Sequence, residues 1–170
     1  MSRLRTLIQM NLGWLDQAIG LVATLSDRAY TQSPPGMAEH QAGGHLRHIL
    51  DFYDSVLAGL ATSHVDYDAR TRDPRTSTDR HYAIDRMRRL QSQLRDVSLE
   101  ERPLLIRMED AMTDGDPWMP SSLSRELQTL SGHTIHHFAL MAVTLRAHGI
   151  HLDPQFGVAP STLRHRREAA

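Results

Sequence analysis

Apolar side chains recur at spacings of three and four residues in four separate stretches of this chain, and this periodicity restricts the fold more than any other feature. It is typical of helices that bury one face, because an α-helix completes a turn in about 3.6 residues. The periodicity predicts helices over residues 2–26, 43–62, 77–97 and 121–148. Each has one apolar stripe, which another element must cover. We therefore expect an all-α protein built as a four-helix bundle.

The ends of the third and fourth predicted helices carry recognisable signals. Ser77 or Thr78 is expected to cap the third helix, and Ser121 or Ser122 the fourth, because a hydroxyl oxygen can accept a hydrogen bond from a free N–H of the first turn. Gly149 is well placed to end the fourth helix.

The connections between these helices are predicted to be long loops. Residues 27–41 contain the run Ser-Pro-Pro-Gly, and residues 64–76 are charged and lack periodicity. Residues 103–109 are predicted to form a short strand or one arm of a hairpin before a turn at residues 114–117. The expected bundle thus has long connecting loops and a short hairpin before its last long helix.

The domain organisation follows from the same pattern. With 170 residues the chain suits one domain with a sizeable core. Residues 1–152 are predicted to form the bundle, and residues 153–170 a C-terminal tail that packs on it or trails from it.

Composition excludes several classes of function. The 19 basic and 20 acidic residues nearly balance, so there is no general electrostatic case for binding nucleic acid or an anionic membrane. Every basic residue is Arg, which excludes a catalytic lysine, and no cysteine is present to act as nucleophile or metal ligand. No apolar run approaches the ~20 residues that span a bilayer, and the N-terminus lacks the features of a signal peptide. We expect a cytoplasmic protein.

The stretch SGHTIHHFALMAV, residues 131–143, concentrates three of the chain's 11 histidines. His133 and His137 are four residues apart and share a helical face with apolar residues. Two imidazoles one turn apart are a common source of two adjacent ligands for a divalent metal ion. The glutamate that follows the first histidine in zinc peptidases is missing here. Such a pair also occurs by chance, and a histidine on an apolar face is often a hydrogen-bonded core residue.

A metal site needs a third ligand, and the segment GGHLRHILDFYD, residues 43–54, is its expected source. His48 lies in an uncharged row with the small residues Gly44, Ser55 and Gly59, which leave room for a pocket or a close helix approach. His45 lies nearer the apolar stripe and is a competing candidate. Periodicity alone leaves this choice open.

Several charged residues are candidates for supporting roles. Glu126 and Asp51 could orient a ligand imidazole or act as a base, and each could equally be an exposed charge on a helix surface. Arginines that could hold the carboxylates of a cofactor are Arg47, Arg70, Arg72 and Arg75.

Four segments of the chain resemble the DinB/YfiT-like family of bacterial metal-binding four-helix-bundle proteins. They are GGHLRHILDFYDSVLAG, VDYDARTRDPR, SRELQTLSGHTIHHFAL and FGVAPSTLRHR. The run from His48 to Asp51 resembles the family's first ligand segment, and His133 and His137 match its paired histidines. The resemblance thus selects His48 over His45. It implies an up-down-down-up bundle, often a homodimer, with a three-histidine site for a divalent ion, commonly zinc or nickel.

The resemblance also suggests what such a site would do. Relatives in this family include thiol-dependent S-transferases, maleylpyruvate isomerase and the metal-binding domain of sulfoxide synthases that make ergothioneine. Two of the quoted segments look like a poorly characterised subgroup. Our first hypothesis is a metal-dependent transferase that acts on a small molecule with a low-molecular-weight thiol such as bacillithiol, mycothiol or glutathione. The alternatives are a metal-dependent hydrolase and a non-catalytic metal-binding protein of the stress response.

Overall fold

The computed structural model describes residues 2–108 and 117–168 of the chain. These residues are mostly helical and include a small sheet. The elements in chain order are α1 (Arg3–Thr24), α2 (Asp27–Thr31), α3 (Ala42–Gly59), β1 (His64–Asp66), α4 (Arg75–Thr78), α5 (Arg80–Arg95), β2 (Pro103–Arg107), β3 (Met119–Ser122), α6 (Leu123–Ala147) and α7 (Pro160–Glu168). The expectation of a helical protein is confirmed, and the four long predicted helices correspond to α1, α3, α5 and α6.

The long helices bury their apolar stripes against one another. Helix α1 packs against α5 and α6, and α3 packs against the same two helices. The inward-facing side chains, among them Leu15, Leu50, Leu90 and Leu130, are at most 1% exposed and belong to a single apolar core. Burial of each such side chain contributes about 1.5–3 kcal/mol, which makes this core the main stabilising feature.

A chain of buried hydrogen bonds ties α1, α3 and α6 together inside this core. The Tyr53 hydroxyl on α3 donates to Asn11 Oδ1 at 2.7 Å, and the Thr134 hydroxyl on α6 lies 3.3 Å from the Tyr53 oxygen. Asn11 Nδ2 in turn donates to the carbonyl of Leu127 at 2.9 Å. Buried polar groups lose stability when a partner is removed, so these contacts favour one relative position of the three helices.

The observed helix ends agree with the sequence at α6 and differ at α5. Ser122 caps α6 by accepting from Arg125 N, and Gly149 follows the helix with a φ of +76°. Helix α5 is capped by Asp79, whose carboxylate accepts from two backbone N–H groups. The predicted cap at Ser77 or Thr78 is wrong, because these residues belong to the separate turn α4.

The predicted loops contain regular structure that the periodicity did not indicate. Strand β1 pairs parallel with β2, and β2 pairs antiparallel with β3 from Pro103↔Ser122 to Ile106↔Met119. The short strand or hairpin arm expected near residue 103 is therefore present. Residues 27–41 and 64–76 are not wholly irregular: the first range contains α2, and the second contains β1 and the start of α4. Of the turn expected at residues 114–117, only Pro117 falls among the described residues.

A largely buried ion-pair network joins α3, α4 and α5. The Arg86 guanidinium on α5 binds Asp51 at 2.9 Å, the Asp54 carboxylate and the Thr76 hydroxyl. The Tyr30 hydroxyl donates to the Thr76 carbonyl, which adds α2 to the network. Burial of the Asp51 carboxyl raises its pKa, and the hydrogen bond and charge of Arg86 oppose this rise.

The C-terminal segment packs the aromatic side chain of Phe156 against the helices. Phe156 is 5% exposed and stacks on Phe138 of α6 with the ring centroids 4.8 Å apart. Gly157 has a φ of +70°, and a Cβ there would lie 2.9 Å from the Phe138 backbone. Helix α7 buries none of its side chains. Within the described ranges, no helix has both the length and the hydropathy that crossing a bilayer requires.

Two adjacent glycines at the start of α3 provide a test of this packing. A Cβ at Gly43 would overlap the Ser77 carbonyl and lie 2.9 Å from the Tyr30 ring, whereas the nearest atom to a Cβ at Gly44 is 3.8 Å away. We expect Gly43→Ala to lower the free energy of unfolding by about 1–3 kcal/mol, the usual cost of overpacking. Gly44→Ala should raise it by up to about 1 kcal/mol, because alanine favours a helix interior. Urea unfolding of both variants measures the difference, and equal effects would contradict the packing of α4 on α3.

Candidate metal centre

Three imidazoles converge where α3 packs against α6. His133 and His137 stand one turn apart on α6, and His48 faces them from α3. The ring centroid of His48 lies 4.9 Å from that of His133 and 4.7 Å from that of His137, and the α6 pair are 4.6 Å apart. One ring nitrogen from each histidine lies within 4.8 Å of the other two. The structure therefore brings together the three residues that the sequence and the resemblance predicted.

The surroundings of these rings leave a nitrogen without a partner. All three side chains are half-buried, and the His133 ring stacks on Phe52 with a centroid distance of 4.0 Å and an interplanar angle of 21°. His133 Nε2 is buried and has no hydrogen-bond partner in the described part of the chain. An unpaired buried polar atom costs about 1–3 kcal/mol. A metal ion would remove that cost, since a neutral imidazole nitrogen is a good ligand for zinc or nickel.

The electrostatic environment keeps the imidazoles neutral. Burial lowers the pKa of His48 and of His133 to about 4, and that of His137 to about 3. Repulsion from neighbouring groups adds to this effect: from Arg70 for His48, and for His137 from any second imidazole of the cluster that takes up a proton. Each ring therefore offers a lone pair at neutral pH, which metal binding requires.

His45, the competing candidate on α3, and His136, the third histidine of residues 131–143, have different positions. His45 Nδ1 lies 3.2 Å from His137 Nδ1, so one of these nitrogens donates a hydrogen bond to the other. His45 Nε2 is buried and has no partner among the described residues. His136 is exposed, with its ring 5.0 Å from that of His137. His45 thus touches a member of the cluster, and His136 lies on the outer side of α6.

Glu126 is buried and does not form an exposed helix-surface charge. It is 2% exposed, and its carboxylate accepts hydrogen bonds from the Tyr67 hydroxyl and from the Ser121 hydroxyl. Burial and the Glu126 charge raise the pKa of Tyr67, so this phenol remains a donor. Tyr67 also stacks on Phe52 with a centroid distance of 4.8 Å. Glu126 is therefore connected to His133 through two aromatic rings and makes no hydrogen bond to it.

Asp51 is also buried, but both of its oxygens face guanidinium groups. Oδ1 lies 2.9 Å from Arg86, and Oδ2 lies 3.2 Å from Arg47. These contacts favour a structural role for Asp51 over that of a base. The same contacts engage Arg47, and Arg75 pairs with Asp79 at 3.1 Å.

The small residues that share a helix row with His48 have different surroundings. A Cβ at Gly59 would lie 2.5 Å from the His64 carbonyl, so Gly59 allows β1 to approach α3, and it also lines a cleft next to α5. Gly44 has open space, and Ser55 lines the same cleft. No sequence pattern indicates the aromatic wall formed by Phe52 and Tyr67, because this wall depends on the approach of residues 15 positions apart.

Comparisons with known proteins give little information about the function of this site. No family model and no solved structure matches the chain. One curated protein, FK506-binding protein 5 of Rhizopus delemar, is 33% identical over 104 residues. The match covers 59% of this chain and 27% of that protein, so the chain spans about a quarter of that relative's length. This share is too small to assign the chain to a family.

The lowered pKa values predict how stability depends on pH. Unfolded histidines take up protons near their ordinary pKa of about 6.5, whereas His48, His133 and His137 resist protonation in the fold. The unfolded state therefore binds more protons than the folded state below this pH. As the pH is lowered from about 6.5 to about 4, the free energy of unfolding of the metal-free protein should decrease.

Urea unfolding at about pH 7 and about pH 5 measures this dependence. A variant with His48→Gln, His133→Gln and His137→Gln should lose less stability between the two pH values than the wild type. His81→Gln, at an exposed position, should behave like the wild type. The same pH dependence in all three proteins would contradict burial of neutral imidazoles.

Proposed function

We propose that His48, His133 and His137 hold a divalent metal ion and that the chain is a four-helix bundle of the DinB/YfiT-like type. The observation that carries this proposal is the convergence of three neutral imidazole nitrogens within 4.8 Å of one another, from two different helices. The buried, unpartnered Nε2 of His133 supports it, because a purely structural histidine normally has a hydrogen-bond partner. The packing of α1, α3, α5 and α6 on one another is compatible with such a bundle.

The donor set fits a borderline divalent ion. Imidazole nitrogens at 2.0–2.1 Å from a tetrahedral ion lie about 3.4 Å apart, so small rotations of the rings would bring these ligands into place. Zinc or nickel is the ion that we propose. When bound through three neutral ligands, such an ion retains its charge and acidifies a thiol or water molecule in an open coordination position.

We further propose that the protein is a transferase that uses a low-molecular-weight thiol and a small-molecule substrate. The chain contains no cysteine, so a thiol nucleophile would have to come from a small molecule. The three imidazoles are half-buried, which is compatible with access of such a molecule to the cluster. His48, His133 and His137 bind the ion in this scheme, and Phe52 excludes water from one face of His133.

His45 orients one ligand in the proposed site. If His137 binds the ion through Nε2, its Nδ1–H donates to His45 Nδ1, which lies 3.2 Å away. A hydrogen bond of this kind fixes the tautomer and ring orientation of a ligand histidine. A second histidine in this role is unusual, because carboxylates and carbonyls are the more common partners.

Removal of a ligand imidazole should abolish metal binding. We expect the untagged protein to contain about one equivalent of zinc or nickel per chain, because three imidazoles and an open position make one site. His48→Gln and His137→Gln should contain almost none, while His136→Gln, at the exposed neighbouring position, should retain the wild-type amount. Elemental analysis after gel filtration measures the content.

One result of this experiment, and one result of a separate activity assay, would contradict parts of the proposal. Metal retained in both ligand variants would exclude the three-histidine site. The wild type could bind metal and yet fail to transfer bacillithiol, mycothiol or glutathione to an electrophilic substrate. That result would support the metal site and exclude the transferase activity. Hydrolysis of simple esters by the metal-loaded protein would then favour the hydrolase.

Loss of the His45 contact should weaken binding without changing its stoichiometry. His45→Leu removes the hydrogen-bond partner of His137, and we expect metal affinity to fall by about 10- to 100-fold. His45→Gln retains a polar group in the same place and should restore most of the affinity. Competition with a chromophoric chelator measures both, and equal affinities in all three proteins would exclude the orienting role.

A further inference from the structure

A cleft separate from the three histidines lies between α3, the segment that follows β1, and α5. Its volume is about 560 Å³, within the range of small-molecule sites. Ser55 of α3 lines one side, Arg70 and Asp73 another, and Arg89 of α5 a third. The residues around this cleft are strongly charged, so the partners of each charge decide what the cleft can bind.

The acidic side chains of the cleft are already engaged. Asp51 and Asp54 pair with Arg86, and Asp66 accepts from the backbone N–H groups of Asp68 and Ala69 at 2.9 and 3.0 Å. Asp73 accepts from the Tyr82 hydroxyl at 2.7 Å and from Arg75 N at 3.0 Å. Each of these carboxylates has at least one oxygen engaged within the fold, which reduces its capacity for a cationic ligand.

Two arginines of the cleft are not neutralised in this way. Arg70 and Arg89 form no ion pair among residues 2–108 and 117–168, although the guanidinium of Arg89 lies 5.6 Å from the centre of the Tyr82 ring. Arg70 Nη1 donates to the Tyr67 carbonyl at 2.7 Å, while its Nε is buried and has no partner in the same ranges. The cleft thus has guanidinium donors that no acidic side chain of the described ranges engages.

The carbonyl of Tyr67 holds the Arg70 guanidinium in a defined position. The same group lies 5.2 Å from the centre of the Phe52 ring. With Nη1 occupied, the remaining edge of the guanidinium consists of Nε and Nη2. This edge has two parallel N–H groups and matches the two oxygens of a carboxylate or phosphate.

We propose that this cleft binds a small molecule that carries an oxyanion. Arg70 binds the carboxylate or phosphate of this molecule, and Arg89 provides a second positive charge. Among the four arginines that the sequence left as candidates for holding a carboxylate, Arg47 and Arg75 are paired with acidic residues. Arg72 is exposed and does not line the cleft. The proposal goes beyond the metal site and does not depend on it.

The position of Arg70 relates this cleft to the histidines. Arg70 lies over Phe52, and Phe52 stacks on His133, so one aromatic side chain separates the cleft from the three imidazoles. An oxyanion bound to Arg70 would thus lie beside the proposed metal centre. A molecule with a carboxylate at one end could extend from the cleft towards the histidines.

The test uses metal-free protein, prepared with a chelator, so that its result is independent of the proposed metal. Succinate, inorganic phosphate and the uncharged succinamide serve as probes, and the Nε–H signals of the arginines in ¹H–¹⁵N NMR spectra serve as the readout. We expect succinate or phosphate to shift the Arg70 Nε–H signal in a saturable way. Succinamide should not shift it, because it lacks the negative charge.

Matched variants assign the effect to Arg70. Arg70→Gln should weaken binding by about tenfold or more, the usual effect of losing a charged hydrogen bond. Arg70→Lys retains the charge but loses the paired N–H edge, and it should also weaken binding. Arg88→Gln, an exposed position on α5 that pairs with Asp85, should bind as the wild type does.

The outcomes separate the alternatives. Preference for succinate identifies a carboxylate site, and preference for phosphate identifies a phosphate site; both support the proposal. The absence of a saturable shift with either anion would overturn it. Unchanged affinity in a folded Arg70→Gln or Arg70→Lys variant, with circular dichroism as the check on folding, would overturn it as well.

Discussion

The packing of α3 against α6 is the constraint on which the rest of the candidate site depends. His48 faces His133 and His137 only because the two helices meet in one rotational and axial position. The buried contacts of Tyr53 with Asn11 and Thr134 favour that position, since a shift of either helix by one residue would separate them. Tyr53 lies between Leu50 and Val56 in the apolar stripe, so burial of this stripe also determines how α3 presents His48 to α6.

The sequence predicted the parts of the fold that depend on local periodicity. The apolar stripes predicted the four long helices. Ser122 and Gly149 predicted the ends of α6, because a cap depends only on neighbouring residues. The cap of α5 was missed, since Asp79 competes with two nearby hydroxyls and only the turn at α4 decides among them. Strand β1 was missed because three residues paired with a distant strand leave little periodic signal.

The same distinction applies to the candidate site. The spacing of His133 and His137 shows in the sequence that they share a face, whereas the choice between His45 and His48 depends on how α3 is rotated towards α6. The structure places both near His137, one within the group of three nitrogens and one at its edge. The buried state of Asp51 and Glu126 could not be predicted either, because their partners Arg86 and Tyr67 are about 35 and 59 residues away.

The stacking of Phe52 on His133 has a consequence for how the cluster would capture an ion. A free imidazole on a surface must give up rotational freedom when it becomes a ligand, and this loss of entropy weakens binding. The Phe52 ring already restricts the rotamer of His133, and Phe52 is itself held between aromatic neighbours. Part of that entropy is therefore lost when the chain folds, so a cation would meet a preorganised ligand whose orientation was selected before it arrived.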